Sequence, residues 1–232
     1  MDRVKKQYIE LQARQLHRQI WSQRDRLFPD GVLSPARLCD PRIGCEVLGI
    51  SYEELPYIDP RFARPEEGKV LAGLIDRQAQ RIVISDALPN QVMRFTAAHE
   101  LGHWCMHQDH ILHRDMPVSG SDVVYQRSEV EQEADYFAAC FLMPRKSVIK
   151  GFQSRFKVQL PLHFTDSLAY WLSPNDPNSL ITASQDSLAR EKALAQCTGV
   201  AGERFQSLAD EFKVSVGAMA LRLRELGLVS WP

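Results

Sequence analysis

Apolar positions recur at near-helical spacing through the start of the chain. Val4, Tyr8, Leu11, Leu16, Ile20 and Leu27 carry the pattern, with Lys5, Lys6, Arg14, Arg18 and Arg24 among the positions between them. This predicts an amphipathic basic helix that stops at the Phe28-Pro29-Asp30-Gly31 turn signal, its charge run forming a solvated face. Asp40 followed by Pro41 supplies a cap and a first-turn proline for a short helix ending at Gly49. Ile50, Ser51 and Tyr52 then read as extended, and the Pro-rich, charged stretch 57–68 reads as a loop. Two β-branched apolar runs, 70–76 and 81–85, flank a mostly polar tetrapeptide and predict a β-hairpin. Pro89-Asn90 opens a helix expected to reach His107, and a polar loop is expected over 108–127. A second helix begins near Ser128, with Phe137 and Phe141 on its apolar face.

Beyond Met143-Pro144 the pattern predicts helices over 146–156, 166–172 and 184–196, with a Pro/Asn-rich turn at 173–179. Residues 204–228 then set a helix, a short KVSVG turn and a second helix in helix-turn-helix order, with Leu208, Phe212, Met219, Leu223 and Leu226 as the core. The expected class is α+β. The expected divisions are an N-terminal helix over 1–30, a central domain over 31–148 and a helical C-terminal part over 149–232, ending in the helix-turn-helix-like segment.

A chain of 232 residues with 44% hydrophobic content can bury a sizeable core. Its formal net charge of -1 gives no global attraction to nucleic acid, an anionic membrane or a highly charged substrate. Cys39, Cys45, Cys105, Cys140 and Cys197 include no C-x-x-C pair and read as reduced, buried thiols. No apolar leader or membrane-length run is present, so a soluble cytoplasmic protein is expected. Within 203–228, Arg204, Lys213, Arg222 and Arg224 are balanced by Glu203, Asp210, Glu211 and Glu225, and the second helix has no Asn or Gln to bond a base edge. That segment reads as a packing or substrate-docking element in preference to a DNA reader.

The candidate chemistry lies in residues 95–107, FTAAHELGHWCMH. On a helix His99 and His103 project from one face and can close on a single ion, with Glu100 flanking it. Neutral imidazoles suit Zn²⁺, and a third protein ligand would leave a position for water that Glu100 could deprotonate. His107 is one turn further along, about 12 Å from His99 at 1.5 Å per residue, too far to join both histidines on one ion. It reads as a helix-end residue or a substrate-side proton donor. Two buried-face histidines could also be purely structural.

Residues 128–144, SEVEQEADYFAACFLMP, supply the rest. Glu131 and Asp135 share a helical face and offer a carboxylate ligand one turn before a carboxylate that could accept the N–H of a ligand imidazole. Two alternatives stay open. Ser128 and Glu131 also spell a capping box, and Glu129 and Glu133 are rival ligands.

Together, RFTAAHELGH at 94–103, the following His107, and EQEADYFAACFLMP at 131–144 resemble the ImmA/IrrE family of metallopeptidases. Val214 to Leu228 is similar to the end of many relatives. The resemblance implies a zincin-like fold with a small antiparallel sheet and a metal-binding helix pair. It implies His99, His103 and Glu131 as Zn²⁺ ligands, Glu100 as catalytic base, and Asp135 where many relatives have Asn. It also implies an edge strand for substrate addition, for which Arg81, Ile82, Val83, Ile84 and Ser85 are the candidates, the alternative being an ordinary sheet strand packed under the metal helix. His107, Tyr125 and Tyr136 are candidates for stabilising the oxyanion. The implied substrate is a protein, commonly a helix-turn-helix repressor whose cleavage induces stress-response or mobile-element genes. The alternatives are a transcriptional regulator or metal-sensing module with a structural zinc site, or a toxin or antitoxin component on the same scaffold.

Overall fold

The computed structural model describes residues 1–56, 58, 71–108, 112–115 and 128–231, with 112–115 described by backbone alone. The chain divides into two compact units, Met1–Leu142 and Met143–Pro232. The expected N-terminal helix is thus part of the first unit and not separate from it. Except for Ile58, the expected loop at 57–68 lies outside the described residues, as do Val70 and Tyr125.

The first unit opens with α1 (Arg3–Ser22), capped by the Asp2 side chain, and α2 (Arg24–Leu27). The buried row of α1 is Ile9, Ala13, Leu16 and Ile20, while the expected positions Val4, Tyr8 and Leu11 are exposed. The correction has a geometric cause. Leu16 is five residues past Leu11, which turns it well off the Val4–Leu11 stripe, whereas Ile9, Ala13, Leu16 and Ile20 follow one helical row. After α3 (Pro35–Leu38), α4 (Pro41–Val47) begins as expected, its Arg42 N–H bonded to the Asp40 side chain.

A four-stranded sheet follows, made of β1 (Ser51–Leu55), β2 (Gly73–Asp76), β3 (Arg81–Ser85) and β4 (Leu112–Asp115) in the order β1-β3-β2-β4. The hairpin β2–β3 is antiparallel as expected, but β1 pairs with β3 in parallel, so the sheet is mixed and not purely antiparallel. β4 falls inside the segment expected to be a polar loop and pairs with β2. The expectation for Arg81, Ile82, Val83, Ile84 and Ser85 is overturned. This strand is interior, hydrogen-bonded on both sides, and cannot accept a substrate strand. Its consecutive apolar residues are the reason: Ile82, Val83 and Ile84 are buried on alternate faces, as befits a strand covered above and below. Leu74 and Val83 join Ile58 and Leu71 in a cluster on one face.

α5 (Asn90–Met106) packs against β2, β3 and α6 (Glu129–Leu142), and α6 packs in turn on α1. The α5–α6 approach is close because Gly102 faces Phe137, where a Cβ would come within 3.1 Å of the ring. Arg94 anchors α5 to the preceding segment through Asp40 and the carbonyls of Ala36 and Cys39.

The second unit is mostly helical. It runs through α7 (Arg145–Phe156), β5 (Leu162–His163), α8 (Asp166–Leu172), α9 (Asn178–Ile181), α10 (Ala189–Gln196), β6 (Gly199–Val200), β7 (Glu203–Arg204), α11 (Leu208–Phe212), α12 (Val216–Glu225) and β8 (Val229–Ser230). Lys213, in the left-handed region at φ 53°, ends α11, and the Ser215 side chain caps α12 by accepting from Ala218 N–H. Leu208, Phe212, Met219, Leu223 and Leu226 are all buried, as the sequence pattern predicts. Among the described residues no helix is long and apolar enough to cross a membrane.

Candidate metal centre

α5 and α6 bring the candidate ligands together. His99 and His103 sit one turn apart on α5, both buried, with their Nε2 atoms 2.9 Å apart. From α6, Glu131 presents Oε2 at 3.2 Å from His99 Nε2 and Oε1 at 3.5 Å from His103 Nε2. These three residues offer ligand atoms that all lie within 4.8 Å of one another. A tetrahedral ion with bonds of about 2.1 Å separates its ligand atoms by roughly 3.4 Å, so the spacing is close to what such an ion requires.

The capping-box alternative resolves in part. The Ser128 hydroxyl accepts from Glu131 N–H at 3.3 Å, while the Glu131 carboxylate turns to the histidines. Backbone and side chain of one residue thus serve the cap and the cluster. The rival Glu133 is engaged elsewhere: it lies 2.8 Å from Lys5 Nζ and 3.0 Å from His107 Nε2. Burial pushes the Glu133 carboxyl up, but the hydrogen bonds from Lys5 and His107, with the charge of Lys5, outweigh it and hold the group below its ordinary value. Glu129 is exposed at the start of α6.

With the rings neutral, as metal ligation requires, the hydrogen-bond partners assign the tautomers. Asp135 Oδ1 lies 2.9 Å from His99 Nδ1, so that nitrogen donates and Nε2 keeps its lone pair. His107 Nε2–H donates to Glu133, which makes His107 Nδ1 an acceptor for His103 Nδ1–H at 2.9 Å. His103 Nε2 therefore also carries a lone pair. Three electron-pair donors face a common point, the arrangement that a divalent cation completes, and the observed donor set fits one.

Glu100, fully buried, follows His99 on α5. Its carboxylate packs on β2 at Gly73, where an added Cβ would lie 2.6 Å from Oε1 and 2.9 Å from Cγ. Spacing along the chain does not single out Gly73. Its one signal is a glycine inside an apolar strand, which marks a close approach by another group.

Two further candidates do not join the cluster. The Tyr136 hydroxyl donates to Glu10 on α1 at 3.0 Å, and Lys6 lies over the same ring, which removes it as an oxyanion partner. His107 caps α5 and meets His103 at Nδ1, the nitrogen opposite the converging Nε2, so it is not a substrate-side proton donor. Tyr125 lies outside the described residues.

The remaining thiols offer no rival site. Burial pushes Cys39, Cys45 and Cys105 up to about 12, so they remain protonated, and no disulfide joins any of the five cysteines among the described residues. Residues 57–161 match the family model of a peptidase family described as IrrE N-terminal-like domain. A search of curated proteins gives no match to the chain.

Proposed function

From the membership of this chain in the ImmA/IrrE family, carried by residues 57–161, we propose that it is a zinc-dependent endopeptidase with a zincin-like catalytic unit. The observation that supports this best is the convergence of His99, His103 and Glu131 beside a buried Glu100. His99, His103 and Glu131 would hold the ion, and the two-nitrogen, one-carboxylate set suits Zn²⁺ while leaving room for water. Zinc supplies Lewis acidity there when bound, making water more acidic and a carbonyl more electrophilic. Glu100 would take a proton from the attacking water as its oxygen joins the acyl carbon, then pass that proton to the amine nitrogen as the C–N bond breaks. Asp135 would hold the His99 ring in the tautomer that exposes Nε2.

The substrate we propose is a helix-turn-helix transcriptional repressor cleaved inside the cell, so that stress-response or mobile-element genes are induced. The regulator alternative gains no support from the second unit. On α12, Arg222 is buried and bonded to Met143 O and Glu225, and Arg224 is bonded twice to Glu191, so these cations are already engaged by protein groups. The test is a zinc-loaded Glu100→Gln variant incubated with a repressor encoded beside this chain. We expect one equivalent of zinc to be retained and cleavage to fall by at least about 100-fold. Unchanged cleavage by the pure variant would remove Glu100 as the base.

A further inference from the structure

The two ligand imidazoles are steadied differently. His99 donates directly to a carboxylate on α6, whereas His103 donates to another imidazole, His107, which donates in turn to Glu133 at 3.0 Å. The chain of contacts continues to α1, where Lys5 Nζ lies 2.8 Å from the other Glu133 oxygen. We propose that His107, Glu133 and Lys5 form a positioning relay for His103, which makes the N-terminal helix a working part of the metal centre. This rests on the metal-binding reading above.

The geometry supports a purpose-built chain. α5 ends at Met106, and the N–H of the capping His107 still bonds His103 O at 2.9 Å while its backbone leaves the helical region, so the ring folds back onto His103. Arg77, in the turn between β2 and β3, fixes that end. Its Nη2 reaches the carbonyls of His103, Trp104 and His107 at 2.9, 3.2 and 2.9 Å, and its guanidinium stacks over Trp104. The protons run one way: from His103 Nδ1 to His107 Nδ1, then from His107 Nε2 to Glu133. Every step favours a lone pair on His103 Nε2. The negative charge at the end of the relay raises the basicity of that nitrogen through the intervening ring, and Lys5 holds the carboxylate in place. His107, Glu133 and Lys5 are positioning residues that act through His103.

The test uses the full chain, with zinc affinity measured by chelator competition and the ligand field read from the visible absorption of the Co²⁺-substituted protein. His107→Phe and Glu133→Gln should weaken zinc binding by about 10- to 100-fold and shift the cobalt bands of the folded protein, a spectral change that a loss of stability alone would not produce. Lys5 is 47% exposed, so Lys5→Met should weaken binding only about 2- to 5-fold. Lys5→Arg should restore it, and Lys5→Met should add nothing in the Glu133→Gln background. Wild-type zinc affinity and cobalt spectrum in both His107→Phe and Glu133→Gln would overturn the relay. If His107→Phe does not fold, Glu133→Gln and Lys5→Met decide the matter. Full affinity in Lys5→Met, or loss that adds to that of Glu133→Gln, would cut α1 out and overturn the proposal as stated. A wild-type chain that fails to bind one equivalent of zinc would instead sink the metal-binding reading itself.

Discussion

Glu191 in the second unit and Glu131 in the first are both carboxylates carried on helices and turned toward basic side chains. Glu191, 1% exposed, accepts two hydrogen bonds from Arg224 and one from Trp231 Nε1 at 2.8 Å. Nearby, Arg190 donates to the carbonyls of Leu180 and Ile181 and lies between the rings of Phe164 and Trp231. In that network donors meet acceptors, so the charges are consumed in holding α10, α12 and the chain end together. The Glu131 cluster is built the other way. His99 and His103 spend their Nδ1 protons outward, on Asp135 and His107, and turn two lone pairs and a carboxylate inward. Buried charge alone is thus no sign of function. What distinguishes the first unit is that its donors are spent outward, leaving acceptors facing one another.

The comparison breaks most sharply by removing one carboxylate from each unit. Glu131→Ala, or His99→Ala, should lower zinc affinity by at least about 100-fold, because one of three protein ligands is gone. Stability of the metal-free chain should hardly fall, since three mutually facing acceptors are relieved. Glu191→Ala should do the reverse, costing about 3 kcal/mol of unfolding free energy by leaving Arg224 and Trp231 without their acceptor. Its zinc affinity should stay at the wild-type value. Chelator competition and urea unfolding on the same variants read both quantities, and zinc loss in Glu191→Ala would show that the second unit is not the closed scaffold described.

A smaller effect is expected where no ligand is touched. Gly73→Ala would put a methyl group 2.6 Å from Glu100 Oε1, so the carboxylate must move within a packed interior. Displacement of a catalytic group by about 1 Å can cost up to about 100-fold in rate, so turnover should fall at least about 10-fold with zinc content intact. Wild-type turnover in a folded Gly73→Ala protein would mean that the Glu100 position does not matter to the rate.

Much of the first unit was legible because its signals are local. A four-residue spacing fixes a helical face, and this brought out His99 and His103; the same spacing admits Glu129 with Glu133 as well as Glu131 with Asp135, and the resemblance to the ImmA/IrrE family favoured the latter pair. Likewise Asp40-Pro41 marked a helix start and the 70–85 pattern marked a hairpin. What escaped was non-local or had no side chain to announce it. Lys5 reaches Glu133 only because α1 packs on α6, and no spacing in the sequence links position 5 with position 133. Parallel pairing of β1 with β3 likewise joins segments separated by the residues 56–80. The misplaced edge strand is different, since its signal was in view. An Ile-Val-Ile run fills both faces of a strand and belongs in a sheet interior, whereas a one-sided strand alternates. On α1 the apolar positions form two stripes, and the one that faces the core includes the small Ala13, a weak apolar signal.

His17 sharpens the comparison from inside the first unit, because it is a half-buried histidine wired in the manner of the second. Its ring stacks on Phe141 at 4.9 Å, and its Nε2–H donates to Phe141 O at 2.9 Å. Burial lowers its pKa from 6.5 to about 4, with the hydrogen bond to Phe141 opposing the shift. Between those values the unfolded chain binds more protons than the folded one. Stability from this group is therefore complete above the unfolded pKa and is lost as pH falls from about 6.5 toward 4. From pH 7.5 to 5.5 the loss should be about 1.3 kcal/mol. His17→Gln keeps an amide N–H for Phe141 O but cannot titrate. Urea unfolding of the two metal-free chains at both pH values cancels the other histidines, which are common to both. The wild-type protein should lose about 1.3 kcal/mol more than the variant over this interval, while zinc affinity at pH 7.5 stays the same for both. Parallel pH dependence would show that His17 is not held neutral by its surroundings. A fall in zinc affinity would show that a histidine closed on a carbonyl can still support the metal centre, against the distinction drawn between donors spent outward and donors spent on packing.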